Sequence, residues 1–228
     1  MRNRLAVYFV PEDDSPLGIF GGRLLGRLPR AGTPVERASF PGPRGRGFER
    51  SAEKAGRYGF HATLVAPFVP RVSEKTVANA LKEFSKTRET IRMPGLAPKI
   101  MPGRFAALVP GDAVPESLGK LEKALVETMD EFRDKSVPPK DRGPLTERQK
   151  ILMKKWGYPR VLGEFRFHLT LAGDVDENFF RLVGELMTPA VLEPFAIDSL
   201  SLSREDPDGI FRLVGSFRLG LPETGESG

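Results

Sequence analysis

The 228-residue sequence has no cysteine and only two histidines. The lack of thiols excludes disulfide frameworks, thiolate metal sites and cysteine nucleophiles. Long apolar runs are missing too. Leu5 to Val10 is among the longest, far below the ~20 residues a helix needs to cross a bilayer. That run meets Pro11, Glu12, Asp13 and Asp14 at once, so it reads as a strand and not as a signal peptide. The expectation is a cytoplasmic chain without a membrane partner. Hydrophobic residues make up 39% and charged residues 29%, a globular balance that excludes wholesale disorder. A chain of this length buries a core without staples.

Acidic charge is scarce in one place. Residues 21–60 hold nine basic side chains against three acidic ones (Glu36, Glu49 and Glu53), within a chain of net charge +5. Such a segment attracts phosphate or nucleic acid, or is simply a solvated arginine-rich loop.

The order of elements repeats. The first half reads as a strand at 5–10, a glycine-weakened helix at 17–28 and a Pro/Gly/Arg-rich loop at about 29–50. A strand at 57–66 follows, then a helix capped by Ser73, and a poorly regular extended stretch at 91–100. The second half reads as a strand at 104–109, a helix at 115–133 and an irregular insert at 136–144. Then come a short helix opened by a capping box at Thr146–Gln149 and closed by Gly157, a strand at 165–172, a helix at 176–187 and strands at 195–203 and 210–219. The expected fold class is α+β. It would form one bilobal domain, 1–228, of two pseudo-twofold-related lobes (about 1–100 and 101–228) of duplicated β-α-β-α-β units. Mainly antiparallel sheets would surround a central cleft.

The two histidines share one context. Thr-Leu occurs only at 63–64 and 170–171, and His61 and His168 each stand two residues before one of these pairs, giving His61-Ala-Thr63-Leu and His168-Leu-Thr170-Leu. Strand alternation puts Arg166, His168 and Thr170 on one face, with Phe165, Phe167, Leu169 and Leu171 on the other. His61 and Thr63 likewise oppose Phe60, Ala62 and Leu64. If the lobes pair about a twofold axis, two imidazoles oppose each other across a groove. One would accept a proton and the other deliver one, with the threonine hydroxyls and Arg166 donating to phosphoryl oxygens. Such a site needs no metal or other cofactor, and two histidines without cysteine fall short of a zinc shell. Tyr58 and Tyr158 are candidates to contact a sugar or base.

These motifs resemble the signature of the 2H phosphoesterase superfamily, two H-x-T/S-h sequences. The longer stretches Arg57 to Leu64, Leu145 to Gln149, Trp156 to Pro159 and Glu164 to Leu171, with Ala6 to Phe9 and Pro16-Leu17, are similar to its DUF1045 group, whose genes typically lie in phosphonate-use operons. The resemblance implies metal-independent hydrolysis of a small, often cyclic, phosphodiester by His61 and His168, with Thr63 and Thr170 binding phosphate. A candidate substrate is a phosphoribosyl cyclic phosphate. Where the group's pattern often has lysine after the first motif, this chain has Val65. Alternation sets that position beside His61 and Thr63, so the site is expected to lack one cation. Two alternatives stand: an RNA-end-processing or RNA-binding protein of the 2′,5′ RNA ligase-like type, and a non-catalytic anion-binding scaffold. The roles of the two histidines and the oligomeric state are left open by the sequence.

Overall fold

The computed structural model describes residues 3–39, 47, 50–52, 55–102, 105–173, 175 and 177–220. The basic loop therefore lies partly outside the described residues.

Strand β1 (Leu5–Phe9) leads to helix α1 (Pro16–Leu25), followed by β2 (Ala62–Phe68), α2 (Glu74–Lys86), β3 (Ile91–Met93) and β4 (Leu96–Met101). The second half runs β5 (Phe105–Pro110), α3 (Glu116–Asp130), α4 (Glu147–Trp156) and a 3₁₀ turn (Leu162–Glu164). It ends with β6 (Leu169–Ala172), α5 (Glu177–Leu186), α6 (Pro189–Leu192), β7 (Phe195–Ile197), β8 (Ser199–Glu205) and β9 (Phe211–Arg218). Seven strands form one sheet in the order β4-β5-β6-β2-β1-β8-β9, and β3 pairs with β7 in a second. Every pairing is antiparallel.

The order is nearly symmetric about the β2–β6 joint. β1 and β5 flank it as equivalents, β8 and β4 flank those, and β3 and β7, the third strands of the two halves, pair with each other. The halves also exchange strands. β4, from the first half, pairs with β5, and β8, from the second, pairs with β1. The repeat in the sequence is thus a repeat in space, but its two copies interlock.

Local chemistry sets the elements. Ser15 caps α1 by accepting from the Gly18 N–H, and Pro16 occupies the first turn. Glycine within α1 has a packing reason: a Cβ on Gly21 would come within 2.2 Å of the Phe60 ring. The helix can therefore lie directly on the residue preceding His61. Thr146 and Gln149 close both hydrogen bonds of the expected capping box, and Gly157 ends α4 at φ 74°. Along β1, Leu5, Val7 and Phe9 enter the main core, while Ala6, Tyr8 and Val10 cluster with Phe211 on the opposite face.

Three expectations are corrected. Residues 91–100 are two strands split by Pro94, not irregular chain, and Pro98 is tolerated because β4 is an edge strand. Residues 165–168 do not join the ladder: the 3₁₀ turn just before them delays β6 to Leu169. Val65 does not share the face of His61. The register jumps from Val7↔Val65 to Tyr8↔Thr63, and this bulge turns both Leu64 and Val65 into the core. A cation at position 65 would not stand beside His61.

Candidate active site

The joint between β2 and β6 is a single pair, Ala62 with Leu169. Both are fully buried, so the residues flanking them project from the other face. Because this pairing is antiparallel, Thr170 follows Leu169 on the side of His61, and His168 precedes Leu169 on the side of Thr63. The two His-x-Thr sequences therefore lie side by side, head to tail, on the sheet face that carries Tyr8.

Each ring is held in the same way. His61 Nδ1 donates to the Gly59 carbonyl at 2.9 Å, and His168 Nδ1 to the Arg166 carbonyl at 2.8 Å. A carbonyl only accepts, so the proton of a neutral ring sits on Nδ1 and the Nε2 lone pair is free for chemistry. In His61 that lone pair accepts from the Thr63 hydroxyl, with Nε2 and Oγ1 3.2 Å apart. Gly59, at φ 72°, adopts the left-handed turn that aims its carbonyl at the ring. The Tyr8 ring covers His61 at 3.9 Å between centroids.

Burial pushes His61 down to about 4; the charges of His168 and Arg27 lower it further and the Gly59 carbonyl opposes them. The ring is therefore neutral at pH 7. Arg27 donates to the carbonyls of Arg57 and Phe211 at 3.4 and 3.3 Å, which fixes its guanidinium beside Gly59. His168 stands nearer solvent, with the Phe105 ring 5.7 Å away.

His61, Thr63, Thr170, Tyr58 and Tyr158 line one cavity of ≈ 310 Å³. Tyr58 stacks on Phe211 at 5.2 Å and lies 6.4 Å from His61. Tyr158 packs under Arg142, whose guanidinium carbon is 4.9 Å from the ring centroid. His168 is not part of this lining; it directly precedes the paired Leu169, on the side of Thr63. Arg166 is not brought to the cavity at all. Its Nη1 donates to the Gly163 and Phe165 carbonyls at 3.1 and 2.6 Å, and it faces a separate hollow with Lys99, Lys120 and Lys123. The alternation that put it beside His168 fails because residues 165–168 are not strand.

The cavity also holds Tyr8, Arg4, Lys140 and Arg142, which the sequence reading did not single out. Tyr8 had a signal, as the one polar side chain on the non-core face of β1. Lys140 and Arg142 sit in the irregular insert, where no periodicity marks them. Among the described residues, no group of three or more His, Asp or Glu is placed to hold a metal ion. No helix among them is long and apolar enough to cross a membrane.

A family model described as a protein of unknown function, DUF1045, matches residues 63–212. A ribose 1,5-bisphosphate phosphokinase PhnN of Janthinobacterium sp. (strain Marseille) is 33% identical over 221 residues, 90% of this chain and 48% of that protein. A protein of the same name from Laribacter hongkongensis (strain HLHK9) is 34% identical over 176 residues, 76% of this chain and 41% of its own length. The chain thus spans less than half the length of these relatives. Among solved structures, a phosphoesterase aligns with TM-score 0.51 and 15% identity, over 96% of this chain and 99% of the other. The chain shares the fold of that phosphoesterase and belongs to the DUF1045 family.

Proposed function

We propose that the protein is a phosphodiesterase that opens a small cyclic phosphodiester, with His61 as general base and His168 as general acid. The observation that carries this reading is the Ala62–Leu169 pair, which sets both His-x-Thr sequences on one face. His61 suits the base role: it is neutral at pH 7, its Nδ1–H is occupied, and its Nε2 lone pair points toward a hydroxyl. His168, closer to water, delivers the proton to the leaving oxygen.

In the reaction, His61 Nε2 takes a proton from water as the water oxygen bonds to phosphorus. The bond from phosphorus to one ring oxygen breaks, and His168 Nε2–H protonates that oxygen. Thr63 turns its hydroxyl from His61 to a non-bridging phosphoryl oxygen, and Thr170 donates to another. Acid, base and donors all come from the chain, so turnover is expected in the presence of a chelator.

The substrate class that fits best is a phosphoribosyl 1,2-cyclic phosphate. Water addition with cleavage at O2 leaves the phosphate on C1, giving ribose 1,5-bisphosphate. That compound is the one named in the two phosphokinase relatives. The test is hydrolysis of this substrate followed by ³¹P NMR with EDTA present. Conversion of the cyclic signal to one new phosphomonoester signal, beside that of the 5-phosphate already present, is expected in wild type and not in His61→Ala. An unchanged cyclic signal with wild-type protein overturns the proposal.

A further inference from the structure

We infer that the cavity holding His61 contains a second anion subsite, formed by Arg4, Lys140 and Arg142, for a phosphomonoester on the same substrate molecule. The inference rests on the reading above that His61 and His168 act on a phosphodiester.

Among the described residues, no aspartate or glutamate lines the cavity, while three cations do. The cations share a border: Arg4, Lys140, Arg142 and Tyr158 also line an adjoining hollow of ≈ 170 Å³, so the His-x-Thr end and the cationic end belong to one continuous space. Arg4 is oriented in advance. Its Nε and Nη2 donate to the Glu205 carboxylate at 2.7 and 2.6 Å, which leaves Nη1 without a partner among the described residues. Glu205 offsets that one charge. Lys140 and Arg142 form no ion pair among the described residues, although the Lys140 charge also acts on Glu205 and lowers its carboxyl pKa. Asp130 and Asp134 line the adjoining hollow, and Asp130 takes both Arg133 and Lys135 at 2.7 Å. Arg142 instead lies over the Tyr158 ring.

Among the described residues, the cavity lining itself thus carries two cations outside any ion pair, a charge that suits a phosphomonoester dianion near neutral pH. The aromatic rings of Tyr58 and Tyr158 stand in the same lining and suit the apolar face of a sugar. The space favours a compact substrate with an anion at each end. A nucleoside cyclic phosphate, whose second end is a neutral base, leaves the two cations unanswered.

The test compares kcat/KM for ribose 1,2-cyclic phosphate with and without a 5-phosphate, in wild type and in the double variant Lys140→Ala/Arg142→Ala. Wild type should prefer the 5-phosphorylated compound by about 100-fold, the scale of two charge-assisted hydrogen bonds. The double variant should lose about 30-fold or more of that preference, through KM. An equal loss on both substrates, or a retained preference, overturns the subsite. If wild type hydrolyses neither compound, the phosphodiesterase reading fails on its own. Calorimetric titration with ribose 5-phosphate then judges the subsite separately. Binding that weakens about 30-fold in the double variant supports it, and binding that is equal or absent in both proteins overturns it.

Discussion

Ala62 faces Leu169 across the joint of the two sheet halves, and neither side chain has exposed surface. This one apolar contact fixes the registration of both histidines. Truncation should harm stability and chemistry together: Leu169→Ala should cost about 2–5 kcal/mol. Urea unfolding checks the energy, and the turnover number checks the alignment. Wild-type turnover in a variant that has lost this stability would separate the joint from the site.

His61 should make stability depend on pH with a defined sign. Its folded value is about 4, against about 6.5 in an unfolded chain. Between those values the unfolded state binds more protons, so stability rises with pH. The contribution, about 3 kcal/mol, is fully present above pH 6.5 and lost as pH falls toward 4. His61→Gln should flatten that part of the stability curve. An unaltered slope contradicts a buried, neutral His61.

Glu122 should act in the opposite sense. It is 1% exposed, and both carboxylate oxygens accept from the Leu162 N–H at 3.1 Å. Burial pushes it up to about 7, against the opposing effect of that N–H. The folded state binds the extra proton between about 4.5 and 7, so stability is greatest at low pH and falls as pH rises through this window. Glu122→Gln keeps an acceptor without the charge and should stabilise the protein at pH 8 by on the order of 2 kcal/mol. A loss of similar size at pH 8 would show that the ionised carboxylate is needed to hold Leu162, whose φ of 54° is unusual for a non-glycine residue.

Gly21 should tolerate no side chain. An alanine Cβ would lie 2.2 Å from Phe60, a ring that is itself buried and set edge-on to Phe20 at 5.8 Å. Gly21→Ala should cost about 1–3 kcal/mol and lower turnover by moving the residue next to His61. Thermal melting and a steady-state assay check both effects.

Much of the site was legible because strand alternation is a short-range rule. It set His61, Thr63 and Thr170 on the cavity side of the buried Ala62 and Leu169. It failed at Val65, where a bulge shifts the register without a local residue signal, and at Arg166, where a 3₁₀ turn ends before the strand begins. Two further features were beyond its reach. The strand exchange of β4 and β8 depends on pairing between distant segments, and Lys140 and Arg142 reach the cavity from an insert whose path no pattern describes. The capping box at Thr146 and the glycine stop at Gly157 are purely local, and both were readable.

In the proposed reaction both imidazoles serve one phosphoryl group. The most direct test is a single-turnover comparison of His61→Ala, His168→Ala and the double variant on a cyclic phosphodiester with EDTA present. Residues that act as one unit are non-additive. Each single variant should therefore lose about 1,000-fold or more, and the double variant little beyond that. Two single losses that multiply in the double variant, or a single variant near wild-type rate, would contradict the account.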